Sequence, residues 1–208
     1  HYLAGAMPSI TAWLLAAMLV AGAVFGLTGK LFADGTHALS GVMKKHIAYA
    51  PLRPFLGGAV IAAVVMWGSF DRYIGLGIPV MVEAFAHPLA PTDFLGKMVF
   101  TIASLGSGFK GGEVTPLFYI GATLGNALAP LLDVPFALLA AVGFVAVFAG
   151  AANTPIASTL MAMELFGAEI GVFAALACVM SYVCSGHSGI YRAQRVAHRK
   201  AQAPSQPS

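Results

Sequence analysis

The segment GSGFKGGEVTPLF, residues 106–118, places Lys110 and Glu113 among four glycines in a chain that otherwise avoids charge. Thr115 and Pro116 have the chemistry of a helix start, because threonine caps helices and proline is preset for the first helical position. A helix beginning here presents unpaired backbone N–H groups and the positive end of its dipole. Both features favour an anion, so the segment predicts an anion site at a helix start.

Glu113 complicates this prediction. Ionised and alone inside a membrane, its carboxylate would repel the anion and lose much of its hydration energy. Protonated, it is a hydrogen-bond donor, and a group that changes between the two states couples anion movement to protons. The alternative is a carboxylate paired with Lys110, one turn away, near a water-facing opening. The residues alone leave both interpretations open.

The composition of the whole chain indicates a membrane protein. Hydrophobic residues make up 59% and charged residues 9% of the 208, whereas soluble domains carry roughly 25% charged residues. Four stretches lack Asp, Glu, Lys and Arg altogether: 1–29, 114–132, 134–163 and 170–191. Nineteen helical residues span roughly 28 Å, close to the thickness of a hydrocarbon core. The chain is therefore predicted to be all-α and to cross the membrane several times.

The apolar segments are short and are interrupted by glycine and proline. Helices are predicted over 9–32 (extending towards Lys45), 54–70, 95–105, 116–132, 136–149, 155–166 and 168–184. Glycines four residues apart, at 22 and 26 and at 121 and 125, predict close helix packing. Interrupted helices at membrane depth are typical of transporter binding sites. Solvated positions are expected for Asp71, Glu83, Asp93, Asp133 and Glu169, with Asp93 a candidate helix cap.

The charges that remain predict an orientation. No acid follows Glu169, whereas the end of the chain carries Arg192, Arg195, Arg199 and Lys200. By the positive-inside rule, the C-terminus is expected to be cytoplasmic, and Lys44, Lys45 and Arg53 mark a second loop on that side. These charges flank membrane segments without interleaved aromatic residues, so nucleic-acid binding is not predicted. One membrane domain is expected over 1–200, with a disordered tail over 201–208.

The sequence gives little indication of catalysis or of metal binding. Cys178 and Cys184 are six residues apart and do not share a helix face, so neither a disulfide nor a metal pair is predicted. The run GHSG, 186–189, matches the serine motif of rhomboid proteases, but only His198 follows Ser188, in the basic tail. We therefore predict no enzyme, no metal and no cofactor. Because the chain starts with His1 and lacks a basic leader, the expectation is a fragment of a longer protein.

Longer stretches resemble a known family. The block GSGFKGGEVTPLFYIGATLGNALAP, 106–130, resembles the CLC family of anion channels and proton-coupled antiporters. Chloride-type members carry Gly-Gly-hydrophobic-Phe-x-Pro where this chain has Gly-Gly-Glu-Val-Thr-Pro at 111–116. That departure resembles the fluoride/proton antiporter branch. The runs SGHSGIYRAQR, 185–195, and GAANTPIASTLMAMELFG, 150–167, are similar to other segments of the family.

The resemblance implies a fold and an activity. The fold would be the second of two inverted-topology halves, built of discontinuous and tilted helices, in a homodimer whose subunits each have a pathway. The activity would be fluoride export driven by the proton gradient, in the inner membrane. Two alternatives remain: a chloride channel or chloride/proton antiporter of the same family, or a half-subunit that transports nothing without a partner chain. The gating glutamate of the family belongs to the first half, which this chain does not match.

The resemblance also assigns residues. It implies that Thr115 and Tyr191 help to form the central anion site and that Glu113 handles fluoride or protons. Composition alone instead favours an interfacial tyrosine at position 191. The predicted anion site comprises Val114, Thr115, Pro116 and Tyr191, and a ligand is expected to approach the backbone closely at Gly111 and Gly112.

Overall fold

The computed structural model of the chain describes residues 8–68, 70–186 and 189–191. These residues form eight α-helices and two single 3₁₀ turns, with no strand among them, which confirms the all-α prediction. The helices are α1 (Ala12–His46), α2 (Leu52–Trp67), α3 (Ile78–Ala86), α4 (Asp93–Gly106), α5 (Val114–Leu132), α6 (Phe136–Ala152), α7 (Pro155–Phe166) and α8 (Gly171–Cys184). His187, Ser188, the four basic residues after position 191 and the predicted tail 201–208 lie outside the described residues.

The first helix is far longer than a simple membrane crossing. Thr11 begins α1 by accepting a hydrogen bond from the N–H of Leu14 at 3.2 Å, and the helix continues for 35 residues to His46. At 1.5 Å per residue it is about 52 Å long, so it must tilt or project beyond a hydrocarbon core of about 30 Å. Lys44 and Lys45 lie in its last turn, where positive charge suits the helix dipole. The predicted extension to Lys45 is confirmed.

Only two of these helices are long and apolar enough to cross a membrane by themselves. They are α1 and α5, whereas the other apolar helices are shorter than a full crossing. The sequence-based expectation of interrupted helices is confirmed at residues 150–155. There α6 ends at Ala152, Asn153 adopts a left-handed conformation, and Pro155 is the first residue of α7. Thr154 stands at the N-cap, although its side chain caps no backbone N–H.

Glycines let two pairs of helices, α1 with α8 and α5 with α6, pack closely. A Cβ on Gly26 of α1 would overlap the backbone oxygen of Ser181 in α8, and one on Gly22 would come within 2.8 Å of the Ala177 oxygen. In the same way, Cβ atoms on Gly121 and Gly125 would overlap the backbone of α6. Both predicted glycine pairs are therefore confirmed as helix contacts. The core lies among α1, α5, α6 and α8, where side chains such as Phe25 and Leu139 are fully buried.

One predicted surface residue is buried instead. Asp93 is fully enclosed as the first residue of α4, and Thr92 occupies the N-cap position. The carboxylate accepts hydrogen bonds from Arg72 Nη2 at 2.8 Å and from the Tyr73 hydroxyl at 2.9 Å. The prediction of a solvated Asp93 cap is therefore wrong, because the turn Asp71–Tyr73 folds back over the start of α4 and supplies both partners.

Candidate anion site at the start of α5

The helix at the centre of the motif begins two residues before the predicted start at Pro116. Val114 is the first residue of α5, and Glu113 occupies the N-cap position without a side-chain capping bond. The prediction that Thr115 is the N-cap is therefore wrong. Thr115 is the second helical residue, and Pro116 is the third. Proline is tolerated there because the first N–H groups of a helix have no intrahelical acceptor. The helix thus starts two residues earlier than predicted, within the usual uncertainty of one or two residues at a helix boundary.

The backbone leading into α5 is rich in unpaired donors. The first N–H that bonds within the helix belongs to Leu117, which donates to the oxygen of Glu113 at 3.3 Å. Within the described part of the chain, the five N–H groups of residues 111–115 donate to no acceptor. Such a run of free donors at the positive end of a helix is a binding surface for an anion. The anion prediction required these amides to be free of capping by the protein itself.

These donors lie beside an open cavity of about 840 Å³. It is lined by residues 109–114, by Ile190 and Tyr191, and by the face of α1 that carries Thr36, His37, Ser40 and Lys44. The N–H of Ile190 donates to the oxygen of Ala151 at 2.9 Å, which holds the end of the described chain against the end of α6. The cavity therefore brings Tyr191 and the start of α5 together although they are far apart in sequence.

The predicted site residues do not all face this cavity. Gly111, Gly112, Glu113 and Val114 line it together with Tyr191. Thr115 instead lines an apolar cavity of about 260 Å³ beside three phenylalanines: Phe85, Phe144 and Phe166. Pro116 lines a third cavity, of about 210 Å³. Successive residues of a helix point about 100° apart, so three neighbours in one turn face different sides.

The two glycines leave open space at the backbone. A Cβ on Gly112 would meet nothing within 4 Å, and one on Gly111 would reach only the Leu105 side chain, at 3.9 Å. Neither glycine has a positive φ. Within the described residues, neither packing nor turn geometry therefore requires glycine at these two positions. The absence of a side chain does let a ligand approach the backbone closely there.

Glu113 is not paired with Lys110. Among the residues that the structure describes, the only ion pair joins Arg72 to Asp93. Glu113 is half-buried at the cavity wall, whereas Lys110 is exposed. Opposite them on α1 lie His37 and the ammonium-bearing Lys44. The cavity thus combines one carboxylate with basic side chains, without a direct contact that would fix the carboxylate in its charged form.

Two features near the site were not predicted from the sequence: the basic face of α1 formed by His37 and Lys44, and the buried Lys97 of α4. His37 and Lys44 are seven residues apart on α1, a spacing that places them on one helix face and that a helical projection would have shown. Lys97 lies four residues after Asp93 in an apolar helix, and a charge inside a predicted membrane helix is itself a signal. Across residues 8–68, 70–186 and 189–191, no three His, Cys, Asp or Glu side chains lie close enough to hold a metal ion.

Comparison with known proteins places the chain beside anion transporters. Residues 1–186 match the sequence profile described as voltage gated chloride channel. A chloride/fluoride channel protein of Pseudomonas syringae pv. tomato is 61% identical over an alignment of 211 positions, which covers 98% of this chain and 46% of the relative. The voltage-gated ClC-type chloride channel ClcB of Salmonella typhimurium is 33% identical, over 71% of this chain and 39% of the relative.

A solved structure extends the similarity to three dimensions. The crystal structure of a CLC-type fluoride/proton antiporter matches the chain with a TM-score of 0.87 and 33% sequence identity. The match covers 91% of this chain and 48% of that one. The chain therefore has the fold of one half of that molecule, and it spans about half the length of the relatives it matches.

Proposed function

The chain belongs to the CLC family of voltage gated chloride channels and transporters, and we propose that the full-length protein exports fluoride in exchange for protons. The observation that carries this proposal is the position of Glu113. It is a protonatable side chain in the wall of the same cavity as Tyr191, beside the five free N–H groups of residues 111–115. The names of two similar proteins include fluoride, which supports fluoride as the transported anion.

The anion is held by hydrogen-bond donors. Fluoride is small and strongly hydrated, so a site that removes its water must replace that water with good donors. The N–H groups of Val114 and its neighbours, the Thr115 hydroxyl and the Tyr191 phenol supply them, with Pro116 fixing the first turn. Gly111 and Gly112 let the ion reach the backbone. Because Thr115 and Tyr191 line different cavities, the proposal has the ion contact them in succession as it passes the helix start.

Protons drive the cycle through Glu113. When the carboxyl group is protonated it donates to the anion, and when it is ionised it repels the anion. A cell that maintains an inward proton gradient can therefore couple proton entry to fluoride exit. The basic residues of the cavity, His37, Lys44 and Lys110, attract anions from the cytoplasm into this opening.

The protein is proposed to lie in the inner membrane with a cytoplasmic C-terminus. Lys44 and Lys45 lie in the last turn of α1, and Arg53, the second residue of α2, donates to the Ile47 oxygen at 2.8 Å, so three basic residues lie at one loop. The full-length subunits are proposed to form a homodimer within the bilayer. Exposed apolar side chains on α7 and α8, among them Ile156 and Val183, support a surface that contacts lipid or another subunit.

Ion efflux from liposomes tests the proposal. The full-length protein is reconstituted, and fluoride and chloride efflux are measured with ion-selective electrodes while a pH-sensitive dye follows protons. We expect fluoride efflux to exceed chloride efflux and to be accompanied by proton entry. Chloride efflux that is much faster than fluoride efflux would support the second candidate, a chloride channel or exchanger. The names of relatives from Salmonella typhimurium and Vibrio parahaemolyticus favour that candidate.

The upstream gene sequence tests the alternative that this chain is a separate half-subunit. If the upstream reading frame continues into the first half of the family fold, the chain is part of one polypeptide. A stop codon and a new start immediately before His1 would instead support a half-subunit that needs a partner chain.

A further inference from the structure

A buried ammonium group lies on the other side of the motif. Lys97 of α4 is only 2% exposed. Its Nζ donates to the oxygen of Gly75 at 2.6 Å and to the oxygen of Tyr73 at 3.1 Å, and it lies 5.1 Å from the centre of the Tyr119 ring. All three partners are neutral, so they solvate the charge without cancelling it.

The nearest acid does not cancel this charge either. Asp93 lies one turn before Lys97 on α4, and its two oxygens bind Arg72 and the Tyr73 hydroxyl. Arg72 takes the buried carboxylate, and the other acid of the turn, Asp71, is exposed to solvent, so the buried charge of Lys97 has no acid of its own. Among the residues that the structure describes, no acid bonds to Lys97. A buried charge without a counterion is costly, so a mobile anion that comes near it would be stabilised by it.

The anion motif lies across a cavity from this charge. The cavity of about 210 Å³ has Lys97, Tyr73 and Gly75 in one wall and Gly111, Gly112 and Pro116 in another. An anion bound by the backbone of residues 111–115 would therefore lie across this small pocket from the ammonium. Charges near the interior of a protein attract each other more strongly than exposed charges in water, because they are screened less.

The turn over Lys97 requires a glycine at position 77. Gly77 has a φ of +69°, and a Cβ there would come within 2.6 Å of the Tyr119 ring and within 3.7 Å of Lys97 Nζ. The turn that carries Tyr73 and Gly75 can therefore pass over the ammonium only because residue 77 is glycine. The carbonyl ligands of Lys97 are thus built into the connection between α2 and α3.

We propose that Lys97 is the fixed countercharge of the transported anion and acts on it through space. This role rests on the proposed function, because it requires an anion at the start of α5. Lys97 is an affinity-determining residue that need not touch the ion. Its field acts on the charge of the ion and not on its hydrogen bonding, so it strengthens fluoride and chloride binding by the same factor.

Two substitutions in one cluster separate this role from a purely structural one. Lys97→Met in the full-length protein removes the positive charge and is expected to weaken anion binding about tenfold. Asp93→Asn removes the negative charge, keeps an acceptor for Tyr73 and is expected to tighten binding about threefold, since Arg72 is partly exposed and screened. A structural role predicts weaker binding for both variants. Thr101→Val, in the wall of the same cavity, is the neutral control and should change nothing.

The measurement is isothermal titration calorimetry of the purified full-length protein with sodium fluoride and, separately, with sodium chloride. Opposite shifts for Lys97→Met and Asp93→Asn, equal in size for the two halides, support the proposal. Shifts in the same direction, or a shift confined to one halide, overturn it. If Lys97→Met does not fold, the direction of the Asp93→Asn shift decides. A wild-type protein that binds chloride but not fluoride would refute the proposed function, while the chloride titrations would still test Lys97.

Discussion

At the scale of single residues, neighbouring side chains at the start of α5 face different cavities. Glu113 and Val114 face the large cavity with Tyr191, whereas Thr115 and Pro116 face two other cavities. The motif is therefore not a single ring of side chains but a helix end approached from several sides. Its constant element is the backbone, whose N–H groups at 111–115 are unpaired in the described chain.

The role of Glu113 is tested by Glu113→Gln in the full-length protein. The amide keeps the size of the side chain but cannot exchange a proton, so we expect fluoride/proton exchange to be strongly impaired. Proton entry and fluoride efflux are measured together in liposomes. Glu83→Gln, at an exposed position of α3, is the matched control and should behave as wild type. Unchanged proton-coupled flux in Glu113→Gln would show that Glu113 is only a structural charge.

The contribution of the Thr115 hydroxyl is tested by Thr115→Val. Valine has the same shape but no donor, so fluoride binding should weaken by about 1–3 kcal/mol, the cost of an unsatisfied partner. Calorimetric titration with both halides checks this, and fluoride should lose more affinity than chloride because it depends more on strong donors. The control is Thr159→Val, whose hydroxyl donates to the Pro155 oxygen within α7. An equal loss for both halides would contradict a donor role.

At the scale of elements, backbone contacts between helices hold the site walls in place. The α1 face that carries His37 and Lys44 is positioned by glycine contacts further up the same helix, where Gly26 meets the backbone of Ser181. The hydroxyl of Ser181 also donates to the Ala146 oxygen of α6 at 2.6 Å, so α1, α6 and α8 meet at one point. Asn126 plays a similar part for α5, because its side chain donates to the oxygens of Ala84 and His87 at 2.8 Å.

Gly26→Ala tests this packing, with Gly41→Ala in the same helix as its control. The added methyl group at position 26 overlaps backbone atoms that cannot move freely, so we expect a loss of about 1–3 kcal/mol of stability. At position 41 the methyl group meets nothing within 4 Å, and alanine should stabilise the helix slightly. Thermal unfolding of the full-length protein in detergent measures both. Equal unfolding temperatures for the two variants would contradict the close contact.

At the scale of the whole molecule, the chain corresponds to about half of the family fold. It covers 46% of the relative with which it is 61% identical and 48% of the similar solved structure. The large cavity is open, and Tyr191 in its wall is 47% exposed. A site that must strip water from fluoride needs to be enclosed, so the remaining half of the family fold is expected to cover this cavity.

This reasoning predicts that the 208 residues alone transport nothing. Liposomes containing only this chain should show the background fluoride leak, whereas liposomes with the full-length protein should show efflux well above it. Circular dichroism of the reconstituted chain is the control that its helices have formed. Fluoride efflux from the folded chain above the leak of empty liposomes would show that this half contains a complete pathway.

The sequence alone determined those features of this protein that depend on neighbouring residues. Charge-free runs indicated a helical membrane protein, glycine pairs at 22/26 and 121/125 identified helix contacts, and the GAANTP break separated α6 from α7, because these signals are local or periodic. The 106–118 segment likewise marked the start of α5 to within two residues. The tertiary structure decided what depends on residues distant in sequence. The binding of Asp93 by Arg72, the pairing of Lys97 with carbonyls of the preceding turn, and the shared cavity of Tyr191, Glu113 and α1 all need the chain to fold back on itself, and no local pattern encodes which distant segments will meet.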